Sequence, residues 1–154
     1  MLSTVRDNDW LLSRLDYLWS NHFSDVAQKN KVFIKFSRAA KYRFGSIRFD
    51  PKRKASLILI NGLFRDPKVP QEVVDHTITH ELVHYTHGFS SPHQKLHEFP
   101  HRGGVIEKEL ANRGLGSLVQ GYKVWLKEYK QTLKPKLRLV RRPRRRLRLR
   151  LRFV

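Results

Sequence analysis

The chain has 154 residues, 40% of them apolar and 11% aromatic, a size and composition suited to one domain with a single core. Cysteine is absent, which excludes disulfides, thiol nucleophiles and thiolate metal sites together. The formal charge is +19, and residues 134–154 hold eleven of the 32 Lys and Arg with no acid, leaving +8 on the first 133.

In chain order, the opening "MLSTVRDNDW" lacks the basic and apolar segments of a signal peptide, and no run of about 18 apolar residues follows. A cytoplasmic protein is expected, nucleoid-associated if bacterial. "DNDWLLSRLDYLWSNHFSDVAQ" places Leu11, Leu15, Leu18, His22 and Val26 three or four apart, which predicts an amphipathic helix capped by an Asp or Asn among residues 7–9. "KVFIKFSR" alternates, with Val32, Ile34 and Phe36 on one face. "KYRFGSIRFD" and "ASLILIN" continue as strands around a turn at "DPKRK". Three strands in succession with short links predict an antiparallel meander.

A second helix is expected from Pro70, a favoured first helical position, to His87, with Gly88 as its left-handed stop. A third covers about 103–113 and closes at Gly114. Ser117 is expected to cap a fourth, whose stripe is Val119, Tyr122, Leu126, Tyr129 and Leu133, and Pro135 ends it.

The second helix contains "HTITHELVHYTHG", with four of the eight histidines. His80 and His84 stand at i and i+4, one turn apart on one face, so both rings can reach one metal ion. Glu81 projects about 100° around from His80, off the metal axis but within reach of a water on the metal. These are the parts needed for zinc hydrolysis: two ligands, and a carboxylate to take the water's proton. A third ligand must come from downstream, and His93, His97, His101, Glu107 and Glu109 are the candidates. The metzincin pattern is excluded, because His87 and Ser90 stand where it requires Gly and His, and Met1 is the sole methionine. His76, one turn before His80, is expected in a supporting or surface role, and His87 as a helix C-terminal residue favoured by the dipole.

Further stretches carry a resemblance. "SRAAKYRFGSIRF", a strand, "VPQEVVDHTITHELVHYTHG" and "PHRGGVIEKELANRGLG" together resemble the SprT-like zinc metallopeptidase domain, the group containing Spartan-type proteases, over roughly residues 9–130. The resemblance implies an α+β, minigluzincin-type fold: an N-terminal helix, a three-stranded antiparallel sheet, the active-site helix and two further helices. It implies one Zn²⁺ per chain on His80, His84 and His101, with Glu81 as general base. His101 matches the family's third ligand in "HRGGV", with Arg102 where the family has Gly and Val105 where it has an aromatic. It also implies protein or peptide substrates bound to or crosslinked with DNA.

The SprT-like domain is thus expected over residues 1–133, with a basic tail over 134–154. In the tail, Arg141, Arg142, Arg144, Arg145 and Arg146 are expected to bind nucleic acid through counterion release. "LRLRLRF" could equally form an edge strand or meet an anionic membrane. The competing reading is a polyanion-binding protein whose zinc site is structural or catalytically idle.

Overall fold

A computed structural model describes residues 5–134. The elements in order are α1 (Asn8–His22), β1 (Val32–Phe36), β2 (Gly45–Asp50), β3 (Ala55–Ile60), α2 (Gln71–Thr86), α3 (Val105–Asn112) and α4 (Gly116–Leu133), with short 3-10 turns at Gly62–Arg65 and Arg102–Gly104. The class is α+β, as expected. The tail residues Arg141, Arg142, Arg144, Arg145 and Arg146 lie outside the described residues.

The antiparallel meander is corrected. The sheet is mixed, in the order β1-β3-β2, with β1 parallel to β3 and β2 antiparallel to it. The link between β1 and β2 is long enough to step over the C-terminal end of β3. Asn61, just past that end and buried, holds it there: its amide donates to the carbonyls of Ala40 (2.6 Å) and Arg43 (3.0 Å), and its Oδ1 accepts from the Ala40 N–H (3.1 Å). β2 therefore descends on the far side of β3 and begins at Gly45, because the residues before it belong to the crossing loop.

α1 opens at Asp7, whose carboxylate accepts from the Trp10 N–H at 2.8 Å. Leu11, Leu15 and Leu18 form its buried stripe. The helix ends at His22, one turn short of the sequence pattern, and Val26 reaches the core from the following turn. Arg14 pairs with the buried Asp75 carboxylate through two bonds of 2.9 and 2.8 Å, fixing α1 to α2. Arg113, at the end of α3, bonds Asp25, Glu109 and the His22 carbonyl, closing the far side.

α2 is the centre of the molecule. It contacts α1, β2, β3, α3 and α4, so most of its residues are buried on every side. Pro70 is the N-cap and His87 the C-cap, and Gly88 takes a φ of 81°. α3 starts two residues later than expected, because Gly103 and Gly104 hold positive φ in the preceding turn. Leu115, not Ser117, is the N-cap of α4; it makes no side-chain cap bond but buries its side chain. Val119 is the buried residue of the α4 stripe. Trp125, outside the predicted stripe, joins Phe44, Phe64, Tyr122 and Tyr129 in one aromatic cluster.

Candidate metal centre and catalytic cleft

The i, i+4 spacing on α2 brings the Nε2 atoms of His80 and His84 to 3.2 Å from each other. The segment leaving α2 supplies the third ring. Gly88 turns the chain, and a Cβ there would come within 2.5 Å of the Gln94 backbone, so the return path packs directly on the glycine. The Leu96 N–H bonds the His87 carbonyl (3.0 Å), the Ser91 hydroxyl donates to the Tyr85 carbonyl (2.6 Å), and the His93 ring meets the Ala27 carbonyl (2.6 Å). This anchored loop carries His101 back over α2, with its ring centroid 5.3 Å from that of His80 and 4.7 Å from that of His84.

One donor atom from each of His80, His84 and His101 lies within 4.8 Å of the others, close enough to bind a metal ion together. His84 is buried, His80 half-buried and His101 exposed, so the trio opens to solvent on the loop side. Burial, reinforced by the neighbouring imidazoles, pushes His80 down to about 4 and His84 to about 3. Both rings are neutral at pH 7, the form that ligates. An all-imidazole donor set suits zinc, copper, iron or nickel rather than the oxygen-seeking magnesium and calcium.

Glu81 is buried beside this trio, outside the ligand group, as expected for a carboxylate one residue from a ligand. Its carboxyl lies against the start of β2: a Cβ at Gly45 would stand 2.9 Å from Glu81 Oε1 and 2.7 Å from Thr77 Cγ2. Only glycine lets the strand approach the helix this closely. Burial raises Glu81 to about 8, against the opposing charge of Arg43. Glu81 and His80 line both a cavity of about 420 Å³ walled by Tyr42, Phe44 and Tyr122 and one of about 390 Å³ that reaches His84, Phe89 and His101.

The remaining candidates are elsewhere. His93 is the loop anchor on Ala27, and His97 packs on the His87 ring, centroids 4.7 Å apart. Glu109 bonds Arg113 and lies 3.7 Å from His87; Glu107 is 3.8 Å from Lys123. His87 is the helix C-cap but is buried, and desolvation lowers its pKa despite Glu109. His76 is likewise buried rather than on the surface. Its ring stacks on Tyr122 at 4.1 Å, its Nδ1 finds no partner, and burial followed by the Lys123 charge lowers it to about 4.

Sequence reading missed Arg43 and the Tyr122 wall. Periodicity places Tyr122 on the apolar stripe of its helix but not in the cleft, and Arg43 carries no local signal, since both reach the site from separate elements. No helix among the described residues is long and apolar enough to cross a membrane. No protein-family model, curated protein or solved structure matches the chain.

Proposed function

We propose that this protein is a zinc-dependent metallopeptidase, with His80, His84 and His101 holding one Zn²⁺ and Glu81 acting as general base. The observation that carries this reading is the convergence of three imidazoles beside a buried carboxyl that shares their cleft. Three imidazole ligands form a recognised catalytic zinc set, one that leaves a coordination position for chemistry. Tetrahedral zinc at ~2.0–2.1 Å from nitrogen spaces its ligand atoms roughly 3.3 Å apart. The His80–His84 separation of 3.2 Å fits that, while the wider trio requires the exposed His101 to draw in.

Bound there, zinc supplies Lewis acidity, lowering the pKa of a water and polarising a carbonyl. The chain supplies the rest. Glu81, packed against Gly45, accepts the water's proton at a carboxylate oxygen and can return it to the departing amine nitrogen. Burial raises its pKa to about 8 and Arg43 limits the rise, so without an ion the carboxyl is largely protonated at pH 7. A cation held by the three imidazoles would favour the carboxylate form that accepts the proton. The exposed Tyr42 offers apolar area to a substrate side chain next to His80.

The resemblance to SprT-like domains supports the same reading and extends it to protein substrates bound to or crosslinked with DNA, with the Arg-rich tail as the nucleic-acid element. The overall charge of +19 favours a second reading, a polyanion-binding protein with an idle zinc site. A structural site needs no base beside the metal, and Glu81 weighs against it. The test is Glu81→Gln in the full chain, with zinc measured by mass spectrometry and cleavage of an unfolded protein followed in parallel. Zinc should stay at one per chain while turnover falls by about 10²-fold or more. Unchanged turnover would sink the role of Glu81, and a protein without zinc would sink the reading as a whole.

A further inference from the structure

A third cavity, of about 450 Å³, lies where the loop before β2 meets the sheet, and Arg38, Arg43 and Arg48 all line it. Leu59 and Ile47 give it apolar surface on which arginine stems can lie. It shares Arg43, Gly45, Ser46 and Ile47 with the cleft that holds His80, Glu81 and His84, so the two are continuous across β2. All three arginines are exposed, and none forms an ion pair among the described residues. Glu81 is the one acidic side chain lining either cavity, and it is buried. The wall of the cleft is therefore cationic, with only the buried Glu81 near Arg43 to oppose it.

We propose that Arg38, Arg43 and Arg48 form a substrate subsite that selects acidic peptide segments, taking Asp or Glu side chains on one side of the scissile bond. The proposal rests on the peptidase reading for its place in catalysis, but not for binding. Guanidinium forks match carboxylates in geometry and bond them in pairs. The cavity has the volume of one or two side chains, far narrower than a nucleic-acid duplex. Single-stranded nucleic acid would need free aromatic faces for stacking. Phe44, the aromatic of this cavity, is already packed against Phe64, Tyr122, Trp125 and Tyr129. The exposed Tyr42 beside Arg43 is one face, not the series that successive bases need. An acidic peptide is the better fit.

The test uses the full chain carrying Glu81→Gln, so that binding is read without cleavage and the tail is present throughout. The probes are a fluorescent peptide with three glutamates spaced by alanines and its glutamine counterpart, followed by anisotropy at low salt. Exposed ion pairs contribute modestly each, so Arg38→Gln, Arg43→Gln and Arg48→Gln together should weaken the glutamate peptide by about tenfold. Neutralising Lys127, Lys130 and Lys134 instead should cost less than about twofold, because screening removes distant charges. Arginine-to-lysine replacement at the three sites should recover part of the loss, since charge returns without the fork.

Equal losses in the two triple variants would overturn the proposal, because bulk charge would then explain the binding. An oligothymidylate whose affinity falls as far as the peptide's would also overturn it, in favour of a phosphate site. With active protein, cleavage of glutamate and glutamine peptides at equal rates would refute the subsite and leave the peptidase reading standing. Arginine-dependent binding with no cleavage of either peptide would do the reverse.

Discussion

The two halves of the candidate metal centre are built differently. His80, Glu81 and His84 sit on α2, a helix buried on most sides, and their relative positions follow from helical periodicity. His101 sits on an exposed turn before α3, fifteen residues past the end of α2 as the numbering runs, and depends on a chain of loop contacts to reach the other two. A helix fixes side chains at i and i+4 through backbone hydrogen bonds that need no particular side-chain partner. A loop fixes them through particular partners, here Gly88, Ser91, His93 and Leu96. The first arrangement is set locally; the second is set by contacts between segments distant in the chain, and it presents the exposed ring of the trio.

That contrast predicts unequal effects at the three ligands. His80→Ala or His84→Ala should lower metal affinity on the order of 10³-fold, since the remaining pair would join one helix ligand to one loop ligand. His101→Ala keeps the preset helix pair and should cost about 10²-fold or less, a difference measurable by competition with a chromogenic chelator. Equal losses at all three positions would mean that the loop is as preorganised as the helix.

Gly45→Ala probes the wall that seats the base. The added methyl would enter the space of Thr77 and Glu81, so the carboxyl must shift while both helix ligands stay in place. Turnover should fall about tenfold through misplacement, with metal content unchanged. Loss of metal together with activity would show that β2 supports the ligands as well as the base.

The smallest effect concerns the ion-free protein and pH. The folded pKa values of His76 and His80 near 4, and of His84 near 3, lie below the ordinary 6.5, so the unfolded chain binds more protons between those limits. Stability from these groups is complete above about 6.5 and declines as pH falls towards 4. Glu81 acts in the opposite sense. Its folded pKa near 8 is above the ordinary 4.5, so its contribution is present below 4.5 and is lost as pH rises through 8. The thermal midpoint of the chelator-treated protein should therefore peak close to pH 6.5 and fall on either side, more steeply on the acidic side, where three histidines outweigh the one glutamate. Glu81→Gln should remove the alkaline decline and leave the acidic one, as thermal scans across pH would reveal.

The sequence by itself determined the α+β class, the order of the elements and the helix-borne half of the site, because periodicity, caps and glycine stops act within a few residues. Asp7, Gly88 and Gly114 mark real boundaries for that reason. The pairing of His80 with His84, and the position of Glu81 outside the ligand set, follow from 3.6 residues per turn. The parallel β1–β3 pairing was decided only in three dimensions, where the buried Asn61 amide, a side chain with no strand signal, holds the crossing loop. The fold also decided which histidine comes beside His80 and His84. Spacing left His93, His97 and His101 equivalent, and the resemblance alone favoured His101. In the folded chain Ala27 engages His93 and His87 engages His97, while His101 is carried over α2. Arg43 and Gly45, around the start of β2, meet Tyr122 of α4 at Glu81 and His80, although the two segments are far apart in the chain. A contact between distant segments leaves no period to read, because it is set by how the helices and sheet pack and not by the residues beside it.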